Sequence, residues 1–316
     1  MRIRPLAALS AAALSALLLA GCSSATPDSE PTPTETGAAS ADLCDSAAPS
    51  GSVSDGIVVT GEPGAVATAE FASPLDITSA ERTVVVEGEG DPIESGDLVQ
   101  YGATIFDAET GEVIESGGYD AAILPVQVSV GVGADQFFGC ATEGSRIVMA
   151  LPASEQAAAS VWVLDVLGIT PDAAWGEPQE PADGMPTVDL AEDGEPTITI
   201  PDAEAPTEVQ VEVLKEGDGA VVQPGDTVLV HYTGVKWSDG TVFDSSWEAG
   251  APTSFATTGV VEGFKQALEG QTVGSQVIVV VPPAFGYGAS EGHELQDETL
   301  VFVVDILATQ SPAAAQ

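Results

Sequence analysis

The chain has 316 residues, 44% of them hydrophobic, with 34 Gly and 22 Pro, which indicates a globular protein of about two domains with many turns. It carries seven Lys and Arg against 49 Asp and Glu, a formal net charge of −42. This charge repels nucleic acid and anionic lipid headgroups, which excludes both as partners.

The first 21 residues have the organisation of an export signal. Arg2 and Arg4 precede an apolar run, Leu6–Ala20, that is too short to span a bilayer comfortably. The run leads into Leu-Ala-Gly-Cys ending at Cys22, which resembles a bacterial lipoprotein cleavage box. The resemblance implies a mature, extracytoplasmic chain anchored to the cell membrane by a diacylated Cys22. The alternative is a secreted protein cleaved near Ala20.

Residues 22–43 are rich in Ser, Thr, Pro and Ala, so we expect a tether there. With Cys22 lipidated, Cys44 and Cys140 form an even pair, which in an exported protein favours a disulfide over two free thiols. The bridge would close a 96-residue loop and contribute up to about 4–5 kcal/mol. No metal site is predicted, because the chain has two His and no cysteine pair with ligand spacing.

Residues 44–170 form the first predicted domain, a series of short strands separated by turns. The strands are predicted at 57–59, 83–86, 98–105, 113–114, 126–130, 147–151 and 161–167. Residues 171–206 follow as an acidic linker with an edge strand near its end, at 197–200. A helix is excluded from this linker by its prolines, Pro171, Pro178, Pro181 and Pro186.

Residues 207–309 form the second predicted domain, and residues 310–316 a tail. Alternating apolar residues indicate a half-buried first strand: Val209, Val211 and Val213. A helix is predicted at 262–269, with an apolar face and Gly270 as its stop. Two buried strands follow, at 277–281 and 300–307. Strands with one short helix across them predict an α+β half-barrel.

The two domains are related by an internal repeat with an offset of 129 residues. Gly96 opens the first copy and Gly225 the second. Positions that could carry chemistry differ between the copies: Ala103 stands opposite Tyr232, Ile114 opposite Phe243, and Glu115 opposite Asp244. Since only the second copy keeps aromatic residues there, we predict one working site and one scaffold.

The second copy contains a series of short motifs in a fixed order. They are GDG at Gly217, VHYTG at Val230, FDSS at Phe243, VEGF at Val261, VGS at Val273, Tyr287-Gly288, and TLVFVVDIL at Thr299. In this order, over ~100 residues, the segment resembles the FKBP-type peptidyl-prolyl isomerases, the macrolide-binding family. The resemblance implies two tandem FKBP-like α+β domains, each an antiparallel β half-barrel wrapped on a short helix, the first being degenerate.

The resemblance also implies a site without metal or cofactor. Catalytic roles fall to five residues, Tyr232, Phe243, Asp244, Val261 and Tyr287, and substrate contacts to Val260, Phe264, Phe285 and Phe302. Phe264 stands where the family usually has Trp, and Thr253 where some members have an aromatic ring. An apolar pocket binds a twisted amide better than a planar one, and the Val261 N–H and the Tyr287 hydroxyl can stabilise its carbonyl.

The predicted function is peptidyl-prolyl cis-trans isomerisation that assists the folding of exported proteins at the cell surface. The predicted partners are proline-containing exported polypeptides, with macrolides as further candidate ligands, and we expect a monomer. The alternative is a client-binding module of the same fold that does not catalyse. The first copy favours that alternative for itself, because it lacks the matching aromatic residues.

Overall fold

The computed structural model describes residues 42–120, 122–180, 182 and 184–312. The predicted signal peptide, Cys22 and almost all of the predicted tether lie outside these residues, as does the end of the tail. Within the described ranges, no helix is long and apolar enough to cross a membrane.

The first half of the described chain forms a six-stranded antiparallel sheet flanked by short helices. The helices are α1 (Leu43–Ser46), α2 (Ser52–Asp55) and α3 (Ala134–Phe138). A separate hairpin consists of β1 (Val58–Thr60) and β2 (Thr68–Glu70). The sheet strands are β3 (Glu81–Val86), β4 (Leu98–Asp107), β5 (Val113–Gly117), β6 (Val126–Gln127), β7 (Arg146–Leu151) and β8 (Ser160–Thr170). The strand predicted at 126–130 is thus only two residues long.

The second half contains a seven-stranded antiparallel sheet and a second hairpin. The strands are β9 (Glu177–Pro178), β10 (Thr187–Leu190), β11 (Pro196–Thr199), β12 (Gln210–Glu216), β13 (Thr227–Lys236), β14 (Val242–Ser245), β15 (Thr253–Ala256), β16 (Gln276–Val281) and β17 (Leu300–Gln310). The helices are α4 (Ser246–Ala249) and α5 (Glu262–Leu268). The hairpin is formed by β10 and β11, and the remaining strands belong to the sheet.

The two sheets have the same strand order. The first runs β5-β4-β8-β7-β3 and the second β14-β13-β17-β16-β12, and a further strand, β6 or β15, pairs with β4 or β13. Irregularities in strand pairing (register shifts) also occur at matching places in the two sheets. In the first sheet they lie at Val84/Val86, Gln100/Tyr101 and Ile105/Phe106. In the second they lie at Val213/Lys215, Leu229/Val230 and Gly234/Val235. Each pair of shifts is 129 residues apart, which is the offset of the sequence repeat.

The main core of the second half lies between its sheet and α5. One face of β13 contributes Val228, Val230 and Tyr232 to this core, in the alternation that a strand imposes. Helix α5 covers the predicted residues to within one position. It stops before Gly270, whose φ of 88° lies in the left-handed region that glycine adopts without strain.

The start of the described chain is fixed beside α3. Helix α1 packs against α3, and Leu43 is buried in the same cluster as Phe138. Cys44 and Cys140 are joined by a disulfide, the pair that the cysteine count predicts. Residue 42 therefore enters the fold next to α3.

Much of the segment predicted as a linker is packed against the second sheet. Strand β9 extends the sheet by pairing with β12, and the β10–β11 hairpin covers the face opposite α5. Met185 and Ile198 are buried there against Trp237 and Ile278. The prolines exclude a helix, as predicted. They still allow a short hairpin, because burial of each large apolar side chain contributes about 1.5–3 kcal/mol.

The two halves share a small apolar contact. Leu98 and Leu124 of the first half meet Leu229 and Leu307 of the second in one cluster. At its edge, the Leu124 N–H donates to Gln310 Oε1 at 3.3 Å.

Candidate active site

An apolar pocket of about 250 Å³ opens in the second half, beside α5. Strands β13, β15 and β17 each contribute an aromatic ring, and the turn before α5 contributes the backbone of one rim. The lining residues are Tyr232, Asp244, Phe255, Gly259, Val260, Val261, Phe264, Tyr287 and Phe302.

The floor and sides of the pocket are aromatic rings packed edge to face. Phe264 lies at the centre: its ring centroid is 5.0 Å from that of Phe302, 5.7 Å from Phe255 and 6.0 Å from Tyr232. Such contacts contribute about 0.5–1.5 kcal/mol each beyond burial and hold the rings in fixed orientations. Phe264 is only 4% exposed, so the floor of the pocket is buried.

A glycine in β13 makes room for two of the rings. A Cβ atom at Gly234 would lie 2.7 Å from Phe243 Cζ and 2.9 Å from Phe302 Cε1, closer than real Cβ contacts allow. Phe243 packs on Phe302 with centroids 5.5 Å apart. In the repeat register the first half has Ile105 at this position, so the same aromatic pair could not form there.

The one carboxylate of the pocket is paired with a phenol. The Tyr232 hydroxyl donates to Asp244 Oδ2 at 2.7 Å. Burial, followed by this hydrogen bond and the Asp244 charge, raises the pKa of Tyr232 far above its ordinary value. The hydroxyl therefore stays protonated and is committed to Asp244, which is itself exposed. Asp244 orients the ring and is not placed as a proton acceptor from substrate.

A buried network on the opposite face of β13 holds Asp244 in place. His231 Nδ1 lies 2.8 Å from Ser246 Oγ, and the same Oγ accepts a hydrogen bond from the Tyr232 N–H at 2.8 Å. The His231 ring stacks on Trp247 with centroids 4.0 Å apart. These contacts fix α4 against β13, and hence the strand end that carries Asp244. From the sequence, His231 was predicted only to be a strand residue, and its contacts with Ser246 and Trp247 were not predicted.

Two candidate donors face the pocket from loops. Val261 directly precedes α5, so its N–H is one of the amides at a helix start that have no acceptor within the helix. Tyr287 is held by His293, whose ring stacks on it with centroids 4.1 Å apart and planes 2° from parallel. The Leu295 N–H donates to His293 Nδ1 at 3.2 Å, and Leu295 is buried in the core beneath the pocket.

Most of the predicted site residues line this pocket, and two do not. The fold brings seven of the nine predicted residues together in the lining: Tyr232, Asp244, Val260, Val261, Phe264, Tyr287 and Phe302. Phe243 and Phe285 pack against the surrounding core but lie outside the lining. Phe255 does line the pocket and was not predicted. Its signal was present: it is two residues after Thr253, on the same face of β15, where some family members have a ring.

The comparisons with known proteins match this part of the chain. Residues 219–307 match the sequence profile described as FKBP-type peptidyl-prolyl cis-trans isomerase. The probable FK506-binding protein of Corynebacterium glutamicum is 36% identical over 114 residues, 36% of this chain and 97% of that protein. The FK506-binding protein of Streptomyces anulatus is 38% identical over 118 residues, 36% of this chain and 95% of that protein. The chain belongs to the FKBP-type isomerase family.

This membership makes the chain a peptidyl-prolyl cis-trans isomerase that acts on proline-containing polypeptides. The matched residues include the entire lining of the pocket. The FKBP-type 22 kDa isomerase of Escherichia coli K12 is 42% identical over 101 residues, 31% of this chain and 48% of that protein. The similarity to these isomerases covers about a third of the chain and leaves the first half unmatched.

Proposed function

We propose that the isomerase acts on exported polypeptides outside the cytoplasm, from a chain held at the membrane by a lipid on Cys22. The proposal is supported by the export signal and by the Leu-Ala-Gly-Cys box that ends at Cys22. A disulfide between Cys44 and Cys140 agrees with an oxidising compartment. The site is the aromatic pocket around Phe264.

The chemistry is a rotation that requires no covalent step. Rotation about an Xaa-Pro bond removes amide resonance and passes a barrier of about 18–20 kcal/mol. The twisted amide is less polar than the planar one, so a dry aromatic pocket binds it preferentially. An acceleration of about 10⁴-fold requires about 5.5 kcal/mol of such preference.

We propose that two donors stabilise the twisted amide. In this proposal the Val261 N–H donates a hydrogen bond to the carbonyl oxygen of the residue before proline, while the proline ring lies on the aromatic floor formed by Phe264 and Phe302. The Tyr287 hydroxyl binds a second carbonyl of the substrate. The Tyr232 hydroxyl takes no direct part, because it is bonded to Asp244. One such hydrogen bond typically contributes about 0.5–1.5 kcal/mol net.

We further propose that the two halves are tandem FKBP-like domains and that the first has lost isomerase activity. The duplication is supported by the common strand order and by three register shifts that recur 129 residues apart. The loss is supported by Ala103 and Glu115 in place of Tyr232 and Asp244, and by Ile105 in place of Gly234.

An isomerisation assay tests the site. The full chain is given short peptides that differ only in the residue before proline. We expect peptides with Leu or Phe there to be turned over about tenfold faster than peptides with Glu, because the pocket is apolar and the protein is strongly acidic. Equal rates for Leu and Glu would reject this substrate preference. The relatives are named FK506-binding proteins, so FK506 is the competitor to use for the same pocket.

Mass spectrometry tests the anchor separately. The native N-terminus should carry lipid on Cys22, and Cys22→Ser should yield an unlipidated chain released from the membrane fraction. Native protein recovered with an unmodified Cys22 would refute the anchor without affecting the isomerase assignment.

A further inference from the structure

The first half of the chain contains an apolar groove of its own, larger than the isomerase pocket. Its volume is about 400 Å³, against about 250 Å³ for the pocket around Phe264. It opens beside α3, and its wall is a continuous row of aromatic rings. Ring centroids are 5.5 Å apart for Tyr101 and Phe138, 6.4 Å for Phe138 and Phe137, and 5.8 Å for Phe137 and Trp162.

The groove occupies the place that corresponds to the isomerase pocket. Val126 pairs with β4 as Phe255 pairs with β13, and Trp162 stands in β8 where Phe302 stands in β17. Counting back from Gly144 and Gly274 places Ala134 opposite Phe264. The loss of two large rings, at Val126 and Ala134, widens the cavity. Rings from other positions then line it, which the sequence repeat did not predict.

The groove can bind but does not have the isomerase constellation. The Tyr232–Asp244 pair has no counterpart among the residues that line the groove, since Ala103 stands in place of Tyr232 and cannot donate a hydrogen bond. The phenol–carboxylate bond of this half, from the Tyr119 hydroxyl to Asp165 Oδ2 at 2.9 Å, lies outside the lining. The side chains that line the groove are apolar except for Tyr101 and Gln127. Glu115 lies on β5, which pairs with β4, the strand that carries Tyr101. Burial, and then the charge of Glu115, raises the pKa of Tyr101.

The half of the chain that carries the groove is strongly anionic. Between residues 44 and 170 the only basic side chains are Arg82 and Arg146, which are 8% and 1% exposed. Arg146 Nε is paired with Asp165 Oδ1 at 2.6 Å, and Arg82 Nε donates to the Phe137 carbonyl oxygen at 2.6 Å. Every other charged side chain in this range is Asp or Glu. A ligand for the groove must therefore combine apolar surface with positive charge.

We propose that this groove is a second polypeptide-binding site, which holds an extended segment with aromatic or aliphatic side chains flanked by Lys or Arg, without isomerising it. Aromatic rings at such a site supply large contact area at low entropic cost. The excess of Asp and Glu over accessible basic side chains in residues 44–170 attracts the flanking cations and repels acidic segments. The site lies in the half of the chain that the isomerase relatives do not match, so it is independent of the isomerase assignment.

Fluorescence anisotropy with the full chain tests this site. The probes are three proline-free peptides of equal length: Phe and Leu flanked by Lys, the same residues flanked by Glu, and Ser flanked by Lys. We expect the first to bind at least about tenfold more tightly than either of the others at low salt, with the preference over the Glu peptide shrinking as salt rises. Equal binding of the Lys-flanked and Glu-flanked apolar peptides would overturn the proposal.

Variants locate the binding. Trp162→Ala removes a ring from the groove, and Ala134→Phe fills it. Each variant should lower the affinity for the first peptide by about 30-fold, as loss of an interface hot spot does. Trp175→Ala is the matched control, because Trp175 is 40% exposed and lies outside the groove; it should change binding less than twofold. Thermal melts identify a variant that fails to fold, and the two groove variants act through opposite changes in volume. Unchanged binding by a folded groove variant would overturn the proposal.

Two other occupants would also overturn it. If the full chain forms a dimer in sedimentation that Trp162→Ala abolishes, the groove belongs to a second copy. If deletion of residues 23–41 raises peptide affinity about tenfold or more, that N-terminal segment is the resident ligand. We expect neither the dimer nor the gain in affinity. Because the groove is separate from the isomerase pocket, Trp162→Ala should have the same isomerase activity on short peptides as the unmodified chain.

Discussion

The Tyr232 hydroxyl donates to Asp244 Oδ2 at 2.7 Å, which is the only side-chain hydrogen bond recorded for Asp244 among the described residues. The bond crosses from β13 to the end of β14 and sets the angle of the Tyr232 ring in the pocket. It therefore couples an exposed carboxylate to the aromatic cluster around Phe264. Tyr232→Phe removes the hydroxyl and keeps the buried ring, and Asp244 is exposed, so the bond can be measured directly.

A double-mutant cycle on Tyr232 and Asp244 should give a coupling energy of about 0.5–1.5 kcal/mol in kcat/KM. Asp244→Val and Tyr232→Phe should each lower kcat/KM by about three- to tenfold, since either change frees the ring. The double variant should be little worse than the single variants. The measurement is the isomerisation assay with urea unfolding as a stability control. Strictly additive effects would mean that the bond does not orient the ring for catalysis.

Phe255 and Phe285 form a matched pair for testing the pocket boundary. Both rings are partly buried and pack on the same core, but only Phe255 lines the pocket. We expect Phe255→Ala to lower kcat/KM about tenfold or more, because water enters the site, and Phe285→Ala to lower it less than about threefold. Steady-state kinetics on both variants check this. A larger effect at Phe285 would place the substrate over the Pro283–Phe285 turn instead.

The β10–β11 hairpin, which packs on the second sheet, should affect the stability of an isolated isomerase fragment. Residues 171–312 keep the β10–β11 hairpin over Trp237 and also Ser311, whose hydroxyl donates to Asp226 Oδ1 at 2.8 Å. We expect this fragment to isomerise peptides at close to the rate of the full chain. Residues 207–309 should show the same activity but a lower Tm, because Trp237 and Ile278 lose apolar cover. Residues 44–170 should be inactive.

Circular dichroism melts and the isomerisation assay on the three fragments give the answer. Activity in 44–170 equal to that in 171–312 would contradict the division of labour. An equal Tm for 171–312 and 207–309 would show that the hairpin contributes nothing to stability.

Asp135 should make the stability of the first half depend on pH. The Gly131 N–H bonds to Asp135 Oδ2 at 2.7 Å, and the amides of Gly133 and Gln136 bond to its Oδ1, each at 3.0 Å. These hydrogen bonds lower the pKa of Asp135 even though the residue is buried, and the bond from Gly131 has the largest effect. Its stabilisation is therefore complete above the unfolded pKa of about 3.9 and is lost as the pH falls through the lower folded value.

Asp135→Asn should destabilise the first half by about 1–2 kcal/mol at pH 7, and the difference should shrink below about pH 4. Urea unfolding followed by tryptophan fluorescence at pH 7 and pH 3 measures it. Asp76→Asn is the control, because Asp76 is exposed on a loop. A destabilisation by Asp135→Asn that stays constant with pH would show that the charge of Asp135 contributes nothing.

The sequence by itself placed two of the pocket residues on the buried faces of their strand and helix. Tyr232 follows from strand alternation in β13, and Phe264 from the apolar face of α5 with Gly270 as its stop. Val261, Tyr287 and Phe302 were assigned to the site by the resemblance of the ordered motifs to the isomerase family, and all three line the pocket. Periodicity of this kind depends only on neighbouring residues, so it can be read from the sequence. The pairing of β13 with β17 leaves the alternating faces of β13 unchanged.

Tertiary structure alone decided which rings face a cavity. Phe255 enters the pocket because β15 pairs with β13, and Phe285 stays outside it in the short turn Pro283–Phe285. The sequence predicts the strand at 197–200 but not its partner β10, and the hairpin that the two strands form is stabilised by burial of Met185 and Ile198 against the second sheet. The aromatic row of the first half gathers Tyr101, Phe137, Phe138 and Trp162 from three separate elements. Residues far apart in sequence meet there only after the chain has folded.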